Sequence, residues 1–147
     1  MLHTHSVNGI AVSAQRQGVL PISQQSTLVL SSIGYHDYEG LALNNDEKSR
    51  LVRDLGNNAF LMLRNHGLLT VGDTVAEAFG RMYFFEAVCT IQVRAQACGV
   101  DLIPVDQKFI ASIEVESKKA NAGSNLGQLI WPGLLRRLDR SDPSYKT

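Results

Sequence analysis

The chain has 147 residues, 44% of them apolar and 19% charged, which is enough hydrophobic material for one globular domain with a modest core. Its 14 basic and 14 acidic residues cancel, and no basic stripe or aromatic-basic alternation runs through it, so the footprint of a nucleic-acid or anionic-membrane binder is absent. With no cationic leader ahead of an apolar stretch, and no apolar run near the roughly 20 residues that span a bilayer, the expectation is a soluble cytoplasmic protein whose partners are small molecules or other subunits.

The opening MLHTH reads as the end of a β-strand. Strand side chains alternate faces, so His3 and His5 point the same way, about 6.5–7 Å apart, while Thr4 turns away. SVNGIAVSAQ reads as a short helix, and the region of Gly18 and Pro21 breaks the pattern before a second short helical stretch in SQQSTLVLSS. IGYHDYEG is either a short strand with a functional rim or a loop. Asn44, with Glu47 three residues later, has the spacing at which side chains satisfy the free N–H groups of a helix start. The helix NDEKSRLVRDL then ends near Gly56, which tolerates the positive φ of a C-terminal cap.

In AFLMLRNHGLLTVG, two apolar segments flank Arg64, Asn65, His66 and Gly67, which predicts two buried strands joined by a tight turn. Thr74 and Glu77 have capping-box spacing, and Val75, Ala78, Phe79, Met82, Phe85, Cys89 and Val93 follow helical periodicity toward Gly99. Cys89 and Cys98 fall on this helix, about 13 Å apart, too far for a disulfide, and read as packing residues. Asp101 to Pro104 break the pattern. A second helical region follows, with interruptions predicted near Gly123 and Pro132, and the polar tail SDPSYKT wraps or frays.

Two imidazoles on one strand face can converge on an ion at about 2.0–2.1 Å from each nitrogen, but a stable site needs a third protein ligand and an open position. Alone, the HxH pair reads equally as two exposed histidines that bind nothing. His66 is the candidate third ligand: a turn at the end of a strand, beside a strand ending in HTH, lets it converge, and Gly67 allows close backbone approach. Taken by itself, a histidine in a turn also reads as an exposed polar residue.

HTHS, followed by LRNHGLLTVG and a long TVAEAF helix, resembles the class II aldolase/adducin family. YHDYEG, LRNHGLL and WPGLLRRLDRSDPSY are similar to its adducin-like bacterial branch. The resemblance covers nearly the whole chain. It implies a three-layer αβα fold with a central mixed, largely antiparallel sheet, and a divalent metal, usually zinc, held by His3, His5 and His66. It also implies a homo-oligomer of tetrameric type and a small-molecule substrate. In such a site a hydroxyl and carbonyl of the substrate are polarised and an enediolate is stabilised.

The chain departs from that family in two places. The family's phosphate-binding Gly, Asn and Ser residues and its acid/base glutamate precede HTH, so the expectation is that residues 1–147 correspond to the domain without its N-terminal part. The chain would then be a gene truncation, a late start or a fragment. Family aldolases also carry a proton-donating tyrosine shortly after the proline that follows the first helix, where this chain has Gln24 and Gln25; glutamine orients oxygens but supplies no proton. Tyr35, His36, Asp37 and Gln25 are therefore the candidate rim of the site, with Tyr38 and Glu39 as further titratable groups and His36 a weaker candidate fourth ligand. The same stretch also reads as a polar strand edge or subunit contact. Two functions stand against each other at this point: a metal-dependent lyase or epimerase of hydroxylated, sugar-phosphate-like carbonyl compounds, and a non-catalytic adducin-like scaffold associating with the actin cytoskeleton. An inactive fragment is a third.

Overall fold

The computed structural model describes residues 1–41, 46–110, 112–113 and 126–146. Short elements come first. Strand β1 (Leu2–Thr4) leads into helix α1 (Val7–Ser13), where the Ser6 hydroxyl accepts the Gly9 N–H. Helix α2 (Gln24–Leu30) is closed at its start by reciprocal Ser23 and Ser26 bonds, and β2 (Ile33–His36) follows. The first half of IGYHDYEG is therefore a strand and the remainder is a loop.

Helix α3 (Glu47–Leu55) ends on Gly56 at φ 51°, as its composition predicts. Asn44 lies outside the described residues. The observed N-cap is Asp46, and Glu47 opens the helix with its side chain turned inward. The strands β3 (Phe60–Leu63) and β4 (Gly67–Thr70) form the expected tight hairpin.

Helix α4 (Val75–Ala97) starts with Thr74 accepting the Glu77 N–H at 3.1 Å, while the Glu77 carboxylate takes the N–H of Asp73, one residue earlier than the reciprocal bond of a capping box. Its predicted inward stripe holds from Ala78 to Val93, which packs against the larger core, but Val75, at the first position of the helix, is 66% exposed. Gln92 is fully buried instead. Its amide accepts the Leu20 N–H and donates to the Gly18 carbonyl, which fastens the irregular segment before α2 to the helix. Cys89 is buried and Cys98 exposed at the helix end, both free.

The predicted interruption at Pro132 is absent, because helix α5 (Leu126–Ser141) runs through it. Packing on α4 overrides the proline penalty there. Trp131 meets Phe79 with ring centroids 5.4 Å apart, and Gly127 sits so close to α4 that a Cβ would stand 2.2 Å from the Ala76 carbonyl oxygen. Gly123 lies outside the described residues. The tail forms a 3-10 turn (Pro143–Lys146) that folds back, with Tyr145 and Lys146 both bonded to Asp139.

The four strands form one mixed sheet in the order β1-β4-β3-β2, antiparallel except for the parallel β2–β3 pair. Alternation sorts the side chains into two layers. Phe60, Met62 and Leu68 join Val12, Val29, Phe85 and Val88 of α1, α2 and α4 in the larger core. Leu61, Leu63 and Leu69 meet Leu51 and Leu55 of α3 on the opposite face. The result is the expected three-layer α/β architecture. Among the described residues no helix is long and apolar enough to cross a membrane.

Candidate metal centre

Antiparallel pairing decides where the histidines meet. Thr4 pairs with Leu68, so the next step along the ladder sets His5 beside Gly67, and His66 precedes it in the turn. A Cβ on Gly67 would stand 2.3 Å from the Thr4 carbonyl oxygen, so the residue after His66 has to lack a side chain for β1 to close here. Asn65 takes the left-handed conformation (φ 56°) that completes the turn, one that asparagine adopts more readily than most residues.

The three rings form a compact group. Their centroids are 4.6 Å (His3–His5), 4.9 Å (His3–His66) and 4.7 Å (His5–His66) apart. One nitrogen from each lies within 4.8 Å of the others, and the Nε2 atoms of His3 and His5 are 2.9 Å apart. His3 Nδ1 is 2.8 Å from the Leu68 carbonyl oxygen, which accepts its proton and leaves Nε2 as a lone pair facing the group. His3 and His5 are exposed and His66 is half-buried, so the cluster opens to solvent. Burial first, and then the charges of His3 and His5, hold His66 below its ordinary pKa; Glu47 opposes this. The neutral imidazole is the form that ligates.

This donor set fits a divalent cation. Three imidazoles with an open fourth side match the three-protein-ligand pattern of zinc sites that keep a position for water or substrate, and a backbone carbonyl orienting one ring is the usual outer-shell device.

The structure divides the predicted rim. His36 lies on the same sheet face as His3 and His5, while Tyr35 points to the other side. The Tyr35 hydroxyl accepts the Val19 N–H at 3.2 Å, its ring lies under the Arg64 guanidinium, and burial, as the main cause, raises its pKa. Tyr35 is therefore a packing residue of the larger core. Gln25 and Asp37 are exposed, on α2 and on the loop after β2. His36 is instead buried among carboxylates that the sequence reading did not place beside it. Its Nδ1 donates to Asp54 at 2.7 Å, Arg53 holds the other oxygen of Asp54, and Arg50 forks onto Glu39. A signal for this was available. Glu47, Leu51, Asp54 and Leu55 fall on one helical stripe, so the inward face of α3 presents acids as well as leucines.

Residues 1–93 match the model of the class II aldolase and adducin N-terminal domain. A Pseudomonas aeruginosa protein, named as belonging with the class 2 aldolases, is 49% identical over 99% of this chain and 57% of its own length. The crystal structure of an aldolase II superfamily protein from Pseudomonas syringae superposes with a TM-score of 0.89 at 44% identity, covering 99% of this chain and 58% of that one. The L-fuculose 1-phosphate aldolase of Glaciozyma antarctica superposes with a TM-score of 0.62 at 28% identity, over 74% of this chain and 40% of that one. The chain thus spans little more than half the length of the first two. Matched over most of its length by the family model and by relatives that share its sheet, this chain belongs to the class II aldolase/adducin family.

Proposed function

We propose that His3, His5 and His66 hold one divalent cation, zinc before others, and that the protein descends from, or acts as, a lyase or epimerase of hydroxylated carbonyl compounds of the sugar-phosphate kind. The observation that carries this reading is the convergence of three imidazoles, one from β1, one from the residue just after it and one from the β3–β4 turn, on one solvent-open point. Likeness to an L-fuculose 1-phosphate aldolase supports the substrate class. The bound cation supplies a Lewis acid for a substrate hydroxyl and carbonyl. The chain's own part is to present neutral imidazole nitrogens. The Leu68 carbonyl sets the His3 tautomer, burial favours the neutral form of His66, and Gly67 lets β1 approach the turn. A homo-oligomer, tetrameric by the family pattern, belongs to the same reading and is checked by light scattering.

The test is elemental analysis of the purified chain after equilibration with zinc, followed by an assay of aldehyde release from a panel of ketose and aldose phosphates. One ion per chain is expected, lost in His66→Ala with the fold intact by circular dichroism. A folded wild-type chain that takes up no divalent ion overturns the reading.

A further inference from the structure

Where the inward face of α3 meets the β2 edge of the sheet, a second set of ligand-type side chains comes together. His36, the last residue of β2, is 3% exposed, and its Nδ1 donates to Asp54 at 2.7 Å. The other ring nitrogen, Nε2, is buried without a hydrogen-bond partner. It is aimed at two carboxylates, with Glu47 Oε1 at 3.4 Å and Glu39 Oε1 at 3.9 Å. His36 is not part of the three-histidine group: β2 and β1 are opposite edges of the sheet, with β3 and β4 between them.

Spacing, orientation and charge all suit a cation at this point. Ligand atoms about 2.1 Å from a divalent ion stand about 3.4 Å apart in a tetrahedral shell and about 3.0 Å apart in an octahedral one. Nε2 and Glu47 Oε1 already have that separation. Glu39 is the ligand that has to move, because the three atoms are not yet all within 4.8 Å of one another, as those of the three-histidine group are. Its side chain is 29% exposed, which leaves it room to close. An ionised Asp54 only accepts hydrogen bonds, so in the neutral ring Nδ1 carries the proton and Nε2 offers a lone pair. A carboxylate behind the far nitrogen is the usual support of a metal-binding histidine.

The charges around the ring leave a negative excess. Arg50 forks onto Glu39 and Arg53 holds Asp54, but among the described residues no guanidinium bonds Glu47, which is itself 8% exposed. Asp46 adds a further negative charge beside Arg50. A lone pair held against a buried carboxylate is costly, and one cation between them satisfies both.

We propose that His36 and Glu47, closed by Glu39, form a second divalent-cation site that clips α3 and the loop after β2 to the edge of the sheet. One imidazole with carboxylate oxygens suits an oxygen-tolerant ion such as Mn2+, whereas three imidazoles favour zinc. The second ion binds more weakly than the first, because only two of its ligands are preset and Glu39 is shared with Arg50. It therefore joins only when the ion is in excess, and the single tightly held zinc expected above is unaffected.

The test adds Mn2+ to the zinc-loaded chain. Electron paramagnetic resonance reads uptake from the loss of the free-ion signal, and paramagnetic broadening of histidine ring signals reads the place, with His36 assigned by signal loss in His36→Gln. One Mn2+ per chain is expected, broadening His36 ahead of the other three histidines and raising the thermal midpoint. Glu47→Gln is expected to weaken uptake about 100-fold, and Glu39→Gln and Asp54→Asn about 10-fold each, with the fold intact by circular dichroism. In His66→Ala the His36 broadening is expected to persist, which separates the two sites. No uptake beyond zinc, the result a proton held between His36 and Glu47 would give, overturns the proposal. So does broadening confined to His3, His5 and His66, or uptake unchanged in folded Glu47→Gln.

Discussion

The two faces of the sheet are built on different terms. The face under α1, α2 and α4 is dry: Val12, Val29, Met62, Leu68 and Phe85 are sealed, and the polar Gln92 among them has all its bonds made to one loop. The face under α3 has a thin apolar strip of Leu61, Leu63 and Leu69, and at its end it gives way to His3, His5, His36 and the α3 carboxylates. Bulk packing makes the first face the anchor of the fold. The second is free to place imidazoles and acids because less of the stability depends on it, and its polar groups are arranged by strand register rather than by close packing.

That contrast breaks most readily at Phe85. It is fully buried at the centre of the dry face, and Phe85→Ala is expected to cost about 3–5 kcal/mol in urea unfolding. Leu51→Ala, half-buried on the α3 face, is expected to cost about 1–2 kcal/mol. Equal losses would remove the distinction. Gly67→Ala comes next. The new methyl collides with the Thr4 carbonyl, so β1 is pushed from β4 at a cost of about 1–3 kcal/mol, and zinc affinity is expected to fall because His3 and His5 move with the strand. Unchanged zinc titration in this variant would separate strand docking from the metal site.

The pH dependence sharpens the comparison further. Asp54 is held below its ordinary pKa, by Arg53 first and His36 second. A depressed carboxyl contributes stability above its unfolded value of about 3.9, and the contribution is lost as pH falls through the folded value. His66 is also depressed, but as a base, so its contribution is complete above about 6.5 and declines below that, where the unfolded chain takes up the proton first. In urea midpoints measured against pH, His66→Gln is expected to flatten the slope just below 6.5 and Asp54→Asn the slope below 4. The smallest effect concerns thiols. Burial, helped by Glu86, pushes Cys89 up to about 12, so a thiol reagent at neutral pH is expected to titrate Cys98 alone in the folded chain and both thiols in urea. Fast reaction of Cys89 would show that the dry face opens.

Local chemistry made much of this legible beforehand. The β3–β4 hairpin, the start of α4 and the Gly56 cap follow from periodicity and capping residues, all short-range causes. Pro132 misled for the same reason. Its local penalty was read correctly, but the Trp131–Phe79 contact and the Gly127 approach lie on another helix. The candidate site divides likewise. His3 and His5 share a face by strand alternation, and nothing nearby in sequence says that His66 joins them.

The order of residues along the chain by itself determined which segments coil or extend, which side of each strand turns inward, and which imidazoles were available. Only the tertiary structure decided that the β1–β4 register ends at the Thr4–Leu68 pair, one step short of His5 and Gly67, that Tyr35 faces the larger core while its neighbour His36 faces the other side of the sheet, and that α3 lays Glu47 and Asp54 against that histidine. The physical reason is range. Backbone propensity acts within a few residues, whereas the partners of His66 and His36 are set by which strands pair and in what register, and that is resolved only when the whole sheet buries both of its faces.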